Sequence, residues 1–220
     1  MYICLSDIKA SKSSVNTRSR IDVHLCVRYS GSKTALIDEE SLMEKEYKGT
    51  KICAVQGDIT KIDGLDVLVI GADESLYLDS GVCKAIHSIA GPELLQEVKK
   101  LGGCKTGEAR ITGAFDANAD FIIHTAAPKW QDGMHDEVKL LSSCYKSILT
   151  LAADNKAKKI GLPSLGTGVY HFPLNLASET AINTAKKFVD ENAGALESIT
   201  WILFDEQTFK TYEAAITAMV

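Results

Sequence analysis

The sequence predicts an α/β fold in which a central sheet carries helices on both faces. From residue 51 onward, short segments rich in apolar and β-branched residues alternate with longer segments whose apolar residues recur at helical spacing. One predicted strand, 67–70, is a run of four apolar residues, which is typical of a strand covered on both faces. Strands that alternate with helices in this way place a sheet between helical layers.

The alternation can be read element by element. Strands are predicted at 51–56, 67–70, 108–114, 121–126, 159–163 and 198–204, and helices at 82–90, 92–101, 136–155, 174–192 and 207–219.

The first 50 residues have a different character. They predict strands at 2–8 and 21–29, a Ser-rich loop at 9–20, and a charged helix at 38–47 with a capping box from Ser41 to Glu44 inside it. We therefore expect two parts, an atypical N-terminal extension at 1–50 and a domain at 51–220. One option is that the extension packs on the domain and contributes an edge strand.

Bulk properties exclude several classes of protein. The 220 residues suffice for one domain with a sizeable core, and the net charge of −5 argues against non-specific nucleic-acid binding. No apolar run is long enough to cross a bilayer, and the N-terminus lacks the features of a signal peptide. Six scattered cysteines without a C-x-x-C pair favour reduced thiols over a metal cluster or a disulfide framework. We expect a cytoplasmic protein, or a nuclear one in a eukaryote, without a membrane partner.

The most informative segment is 161–173, which reads Gly-Leu-Pro-Ser-Leu-Gly-Thr-Gly-Val-Tyr-His-Phe-Pro. It lies between a predicted strand and a predicted helix. Its glycines let backbone N–H groups turn toward a ligand, and a following helix would offer its positive N-terminal end. The segment therefore predicts a phosphate site, with an ordinary strand-to-helix turn as the alternative. Residues 57–58, 71–80 and Phe204 also fall at strand ends, where ligands bind in open α/β sheets.

Six segments, in order and spacing, resemble the macro domain, the ADP-ribose-binding module. They are Gln-Gly-Asp-Ile-Thr at 56–60, Ala-Ile-His-Ser-Ile-Ala-Gly-Pro-Glu-Leu at 85–94, Gly-Gly-Cys-Lys-Thr-Gly-Glu-Ala at 102–109, Ile-Ile-His-Thr-Ala-Ala-Pro-Lys-Trp at 122–130, the Pro163 to Pro173 segment, and Leu-Phe-Asp at 203–205. The resemblance covers 51–220. It implies a three-layer α/β/α sandwich with a mixed central sheet and a cleft for ADP-ribose.

The resemblance also implies which residues contact the ligand. Asp58 matches the carboxylate that holds the adenine amino group, and Phe204 matches an aromatic residue that stacks on adenine. The alternatives are that Asp58 only caps a turn and that Phe204 is a core residue. The full set of expected ligand-binding residues is Asp58, Ile59, Gly81, Val82, Ser164, Gly166, Thr167, Gly168, Val169, Tyr170 and Phe204.

Two departures from the family pattern concern catalysis. Active members carry Asn-Ala-Ala-Asn where this sequence reads Gly-Ala-Asp-Glu at 71–74, so that Glu74 replaces the second Asn. Cys83 replaces an Asp associated with hydrolysis, and the intervening loop, with Asp79, has lost glycines. The catalytic residues are therefore unknown. Glu74 as a general base and Cys83 as a nucleophile are the options for an active enzyme, against a solvated Glu74 and a small, partly buried Cys83.

The remaining conspicuous residues favour structural roles. His87 and His124 are expected to satisfy local hydrogen bonds, and Trp130 to pack. His171 either borders the cleft or is exposed. We expect no metal and no cofactor. The sequence thus predicts binding of ADP-ribose or an ADP-ribosylated protein, with weak or no hydrolysis. The rivals are a hydrolase that acts through altered residues and a degenerate module used for protein contacts.

Overall fold

The structure of the protein, a computed structural model, describes residues 28–29, 39–77 and 81–220. The strands are β1 Arg28–Tyr29, β2 Leu42–Tyr47, β3 Thr50–Gln56, β4 Ile62–Asp63, β5 Val67–Ala72, β6 Ala109–Gly113, β7 Phe121–Ala126, β8 Lys159–Leu162 and β9 Ser198–Leu203. The α-helices are α1 Gly81–Ala90, α2 Pro92–Leu101, α3 Glu137–Asp154, α4 Leu174–Glu191 and α5 Glu206–Ala218.

Seven strands form one mixed sheet, in the order β2-β3-β9-β8-β5-β7-β6. The five inner strands are parallel, whereas the two edge strands, β2 and β6, run antiparallel to their neighbours. The short strands β1 and β4 pair separately. The predicted mixed sheet is confirmed, and because its inner strands are parallel, their carboxyl ends meet at one edge.

Helices cover both faces of this sheet. Helices α3, α4 and α5 pack on one face, and α1 and α2 on the other, so that two apolar clusters lie on opposite sides of the strands. Successive residues of β3 alternate between them, since Ile52 and Ala54 join the first cluster while Cys53 and Val55 join the second. The three-layer α/β/α sandwich is therefore confirmed.

The helix predicted at 38–47 is wrong. A short 3-10 turn, Glu39–Ser41, leads into β2, which pairs along its length with β3. Leu42 and Met43 pack into opposite apolar clusters, as neighbouring residues of a strand do. Glu44 forms no capping box but an ion pair of 2.8 Å with Lys51 on the neighbouring strand. The local charge pattern is typical of a helix, but pairing with the edge of β3 stabilises this segment as a strand.

Other expectations for the extension lie outside the described residues. The strand at 2–8, the loop at 9–20 and most of the strand at 21–29 belong to this group. Within the described residues, no helix is long and apolar enough to cross a membrane. Cys83, Cys104 and Cys144 are free thiols, as expected. Cys53 is disulfide-bonded, which contradicts the expectation of reduced thiols at this position.

A fully buried and a half-buried histidine ring lie next to each other between α1 and the sheet. His124 on β7 is completely buried, and its Nε2 atom lies 3.0 Å from the hydroxyl oxygen of Thr112. The ring of His87 on α1 is centred 6.2 Å away. His124 Nδ1 and His87 Nε2 have no hydrogen-bond partner in the described structure. The expectation of satisfied local hydrogen bonds therefore holds for one nitrogen of His124 only.

This pair predicts loss of stability in mild acid. Burial, with a smaller effect of His87, lowers the pKa of His124 to about 3, against about 6.5 in the unfolded chain. The unfolded chain thus binds the proton more tightly, so stability is complete above pH 6.5 and falls as the pH drops toward 3. We expect a loss of about 2–3 kcal/mol between pH 6.5 and pH 4.5, measured by denaturant unfolding.

One histidine variant tests this prediction, and a second histidine variant is its control. His124→Gln should flatten the profile between pH 6.5 and 4.5, whereas His171→Gln, at an exposed position, should leave it unchanged. An equally steep profile in His124→Gln would contradict the assignment.

Candidate functional site

One cavity opens at the carboxyl edge of the parallel strands. It has a volume of about 530 Å³ and is lined by residues that follow β3, β8 and β9, together with the first turn of α1. All eleven residues expected to bind a ligand line this cavity, namely Asp58, Ile59, Gly81, Val82, Ser164, Gly166, Thr167, Gly168, Val169, Tyr170 and Phe204. The topology therefore brings together residues that are up to 146 positions apart, from Asp58 to Phe204.

Asp58 begins a short 3-10 turn, Ile59–Lys61, directly after β3. Its Oδ1 atom accepts hydrogen bonds from the Thr60 N–H at 3.0 Å and the Thr60 hydroxyl at 2.7 Å, while Oδ2 lies 3.4 Å from Lys61 Nζ. Burial raises the pKa of Asp58, but these bonds to Thr60 and Lys61 outweigh it, and the pKa is lowered. Asp58 thus caps a turn with one oxygen and keeps a charged carboxylate on the cavity wall. The two interpretations of Asp58 are compatible.

Apolar side chains stand exposed at the mouth of the cavity. Phe204, the residue after β9, is 81% exposed, and Val169 is 58% exposed. The alternative of a core residue at position 204 is therefore wrong. An exposed aromatic ring at a cavity mouth is suited to stacking on a planar group.

The glycine loop, residues 163–170, forms another wall of the cavity. Gly166 has a φ of +77°, which favours glycine, and its carbonyl accepts a hydrogen bond of 3.0 Å from the Phe172 N–H. Gly168 has an ordinary φ, and a Cβ atom there would meet nothing within 4 Å. Gly166 therefore shapes the loop, whereas a side chain at position 168 would extend into open space.

Buried hydroxyl groups support the glycine loop from the core side. Ser164 Oγ lies 3.0 Å from the hydroxyl of Tyr212, and the Thr167 hydroxyl donates to Ser164 Oγ at 3.0 Å. The N–H of Leu165 donates to the hydroxyl of Tyr145 at 3.4 Å. Burial raises the pKa of Tyr145 and Tyr212, so both hydroxyls remain neutral. The Ser164 and Thr167 hydroxyls are thus occupied in holding the loop.

Two helices present their N-termini to the cavity, α1 and, through Asp205 and Thr208, α5. Gly81, Val82 and Cys83, the first three residues of α1, line the cavity, whereas no residue of α4 does. The expectation that α4, the helix after the glycine loop, faces the ligand is therefore wrong. Residues 171–173 separate the loop from α4, which does not reach the cavity. The first N–H groups of a helix have no partner within it and attract anions. Asp79, just before α1, lies outside the described residues.

Tyr170 lines the cavity and is 8% exposed. Burial raises the pKa of its hydroxyl, and Asp73 and Cys83 raise it further. Lys129 Nζ lies 5.4 Å from the ring centre. Asp73, directly after the buried strand β5, acts on this hydroxyl without lining the cavity itself.

The two catalytic options have different surroundings. Glu74 is exposed and does not line the cavity, because its Oε1 accepts hydrogen bonds from the N–H and hydroxyl of Thr106 at 3.1 and 2.9 Å. Cys83 does line the cavity but is only 1% exposed. The acidic group beside Tyr170 is Asp73 rather than Glu74. This geometry offers no carboxylate general base at position 74 to a ligand in the cavity.

Two further residues fall beside the cavity rather than in it. His171 is exposed and does not line it, which decides between the two alternatives. Trp130 packs edge-on against Phe172 with ring centres 4.8 Å apart, so its packing role is confirmed.

The described structure resembles known proteins over most of its length. The model of the Macro domain family matches residues 69–181. A macro domain-containing protein of Lactiplantibacillus plantarum is 42% identical over 77% of this chain and 98% of its own. An O-acetyl-ADP-ribose deacetylase of Pantoea vagans is 39% identical over 74% of this chain and 96% of its own.

Solved structures agree with the sequence relatives. The Oceanobacillus iheyensis macrodomain with ADP has a TM-score of 0.74 and 34% identity, and covers 80% of this chain and 95% of its own. The Trypanosoma brucei macrodomain in complex with ADP-ribose has a TM-score of 0.70 and 36% identity, and covers 75% and 68%. The order of the strands, the cavity at their carboxyl edge and these similarities lead to one conclusion: the chain belongs to the macro domain family.

Proposed function

We propose that the cavity binds ADP-ribose or a closely related ADP-ribosyl derivative. The observation that carries the proposal is the convergence of all eleven expected residues on a single cavity at the strand ends. Its volume falls within the range of small-molecule sites. Solved macrodomains of similar structure were obtained with ADP and with ADP-ribose, which supports the same ligand class here.

The chemistry of the wall suggests an orientation for the ligand. Asp58 accepts from the exocyclic amine of adenine, and Phe204 stacks on the ring. The diphosphate lies between the glycine loop and the start of α1, and the distal ribose points toward Tyr170 and Cys83. No Lys, Arg or His lines the described cavity wall. Backbone N–H groups and the α1 dipole therefore supply the positive potential for the diphosphate.

The partner in this proposal is free ADP-ribose or an ADP-ribosylated protein. The net charge of −5 continues to argue against nucleic acid as a partner. A cytoplasmic location is part of the proposal, as is the division into an extension at 1–50 and a domain at 51–220. The sheet nevertheless includes β2, which precedes residue 51.

A second candidate function is hydrolysis of an ADP-ribosyl linkage. It is favoured by the relative that carries the name O-acetyl-ADP-ribose deacetylase. The placement of Glu74 against Thr106 and the burial of Cys83 argue for weak or absent turnover. A degenerate module is the third candidate, and the intact cavity argues against it.

Titration calorimetry tests the binding proposal. We expect ADP-ribose to bind with one-to-one stoichiometry and GDP not to bind, because the carbonyl oxygen of guanine would face the Asp58 carboxylate, and both groups are acceptors. Absence of heat with ADP-ribose at millimolar concentration would refute the proposal and favour the degenerate module.

A bulky residue at position 168 should block the diphosphate. Gly168→Val adds atoms in the open space above the glycine loop without straining the backbone, so we expect at least a roughly tenfold loss of ADP-ribose affinity in a folded protein. The matched control is Gly113→Val on β6, which also meets nothing within 4 Å and lies outside the cavity. Calorimetry and circular dichroism on both variants give the comparison. Unchanged affinity in folded Gly168→Val would exclude this loop as the diphosphate site.

A further inference from the structure

The carboxylate of Glu137 is buried inside the loop that precedes it. Glu137 is the first residue of α3 and only 2% exposed. Its Oε1 atom accepts the N–H groups of Gln131, Asp132 and Gly133 at 3.2, 3.3 and 3.2 Å. Its Oε2 atom accepts the His135 N–H at 2.7 Å. One side chain therefore holds four backbone N–H groups of the 131–135 loop.

These contacts explain the buried charge without a metal ion. Burial alone would raise the pKa of Glu137, but the surrounding backbone N–H groups lower it to about 2. Asp132 and His135 lie close enough to share a cation with Glu137, yet the carboxylate already accepts four hydrogen bonds. Asp132 and His135 also contact each other at 3.0 Å. The carboxylate thus serves to hold the loop.

The held loop packs against Trp130. Gly133 has a φ of +85°, and a Cβ atom there would lie 3.0 Å from the Trp130 ring. A larger residue would therefore push the loop off the indole. The Trp130 ring therefore packs between the turn at Gly133, whose N–H donates to Glu137, and the ring of Phe172.

Trp130 in turn contacts the glycine loop. Its backbone N–H donates a hydrogen bond of 2.9 Å to the carbonyl of Tyr170. The N–H of Phe172, against which its ring packs, donates to the carbonyl of Gly166 at 3.0 Å. Both ends of the 166–170 segment are therefore attached, directly or through one residue, to Trp130.

We infer that Glu137 is a positioning residue for the glycine loop and acts on ADP-ribose binding through Trp130. The inference rests on the proposed function and adds a residue that does not line the cavity. Glu137 fixes the 131–135 loop, and this loop fixes Trp130. Trp130 in turn holds the carbonyl of Tyr170 and the ring of Phe172, whose N–H holds the carbonyl of Gly166. Its effect is directed at the diphosphate and distal ribose, because Asp58 and Phe204 lie on other elements.

The variant Glu137→Gln tests this role. Glutamine has nearly the same shape but a single acceptor oxygen, and its NH₂ group opposes the backbone N–H donors. We expect about a tenfold loss of ADP-ribose affinity by calorimetry and less than a twofold change for AMP, which lacks the distal ribose. The matched control is Glu93→Gln, an exposed glutamate in the first turn of α2. It should change neither affinity.

Fluorescence of Trp130 reports whether the packing of this side chain depends on Glu137. The other tryptophan, Trp201, is fully buried, so added acrylamide quenches mainly Trp130. We expect stronger quenching in Glu137→Gln than in the parent protein or in Glu93→Gln. If Glu137→Gln does not fold, Trp130→Leu tests the same connection from its other end, with the same selective loss of ADP-ribose affinity.

The outcomes separate this role from the proposed function. A parent protein that binds neither nucleotide overturns the proposed function and this role with it. A parent that binds both, with equal losses for AMP and ADP-ribose in Glu137→Gln, overturns only the positioning role, because general destabilisation lowers both alike. Unchanged ADP-ribose affinity or unchanged quenching overturns it as well.

Discussion

Asp58→Ala is expected to lower the affinity for ADP-ribose by about 1–3 kcal/mol, roughly 5- to 150-fold. The adenine amine would lose its charged acceptor on leaving water, and Oδ2, which contacts only the largely exposed Lys61, is the atom free to accept it. Since the pKa of Asp58 is lowered, the carboxylate is ionised throughout the neutral range, and we expect affinity to be constant between pH 5.5 and 8. Calorimetry at several pH values measures both effects.

The companion variant Asp58→Asn separates ligand binding from turn capping. One amide oxygen can still accept from Thr60, so the 3-10 turn should keep its stability, while Asp58→Ala loses about 1 kcal/mol by denaturant unfolding. The Asn NH₂ group takes the place of Oδ2 and can only donate, so it opposes the adenine amine, and the affinity should fall as in Asp58→Ala. If both variants bind ADP-ribose as well as the parent, Asp58 is only a turn cap.

Hydrolysis of an ADP-ribosyl ester is expected to be at least about a hundredfold slower than in a macro domain with the Asn-Ala-Ala-Asn and Asp motifs intact. Cys83 presents a nearly buried thiol where a carboxylate is expected, and Glu74 is hydrogen-bonded to Thr106 outside the cavity. An ionised glutamate accepts hydrogen bonds only, whereas asparagine also donates to a ribose hydroxyl. The loss of both well-placed groups removes stabilisation that the reaction needs.

The measurement is release of ADP-ribose from a protein modified on an acidic side chain, with a motif-intact macro domain as the positive control. Turnover within tenfold of that control would contradict the prediction and support the second candidate function. Glu74→Gln and Cys83→Ala would then identify the group responsible. In the expected case neither substitution changes the already low rate, while Cys83→Ala retains ADP-ribose binding.

Much of this protein is determined by local sequence. The alternation of apolar segments predicted six strands and five helices from 51 to 220 to within two residues at each end, because each of these elements carries its own hydrophobic period. The short strand β4 and the 3-10 turn before it were missed. The short motifs around Asp58, the glycine loop and Phe204 predicted residues that all line one cavity. These residues follow strands directly, and parallel strands bring their carboxyl ends to one edge.

Tertiary structure decided what local sequence left open. The charged segment 42–47 became an edge strand because β3 offered it an unpaired partner, and pairing outweighs a weak helical pattern. The N-termini of α1 and α5 line the cavity and that of α4 does not, because residues 171–173 separate the glycine loop from α4. The Glu74 carboxylate is hydrogen-bonded to Thr106, 32 positions away, and Asp73 is the acidic residue that acts on Tyr170.

Glu137, in a polar stretch without a recognisable motif, is buried because four backbone N–H groups surround its charge. Each of these outcomes depends on contacts between residues that are distant or unpatterned in the sequence, which hydrophobic period and motif spacing do not encode.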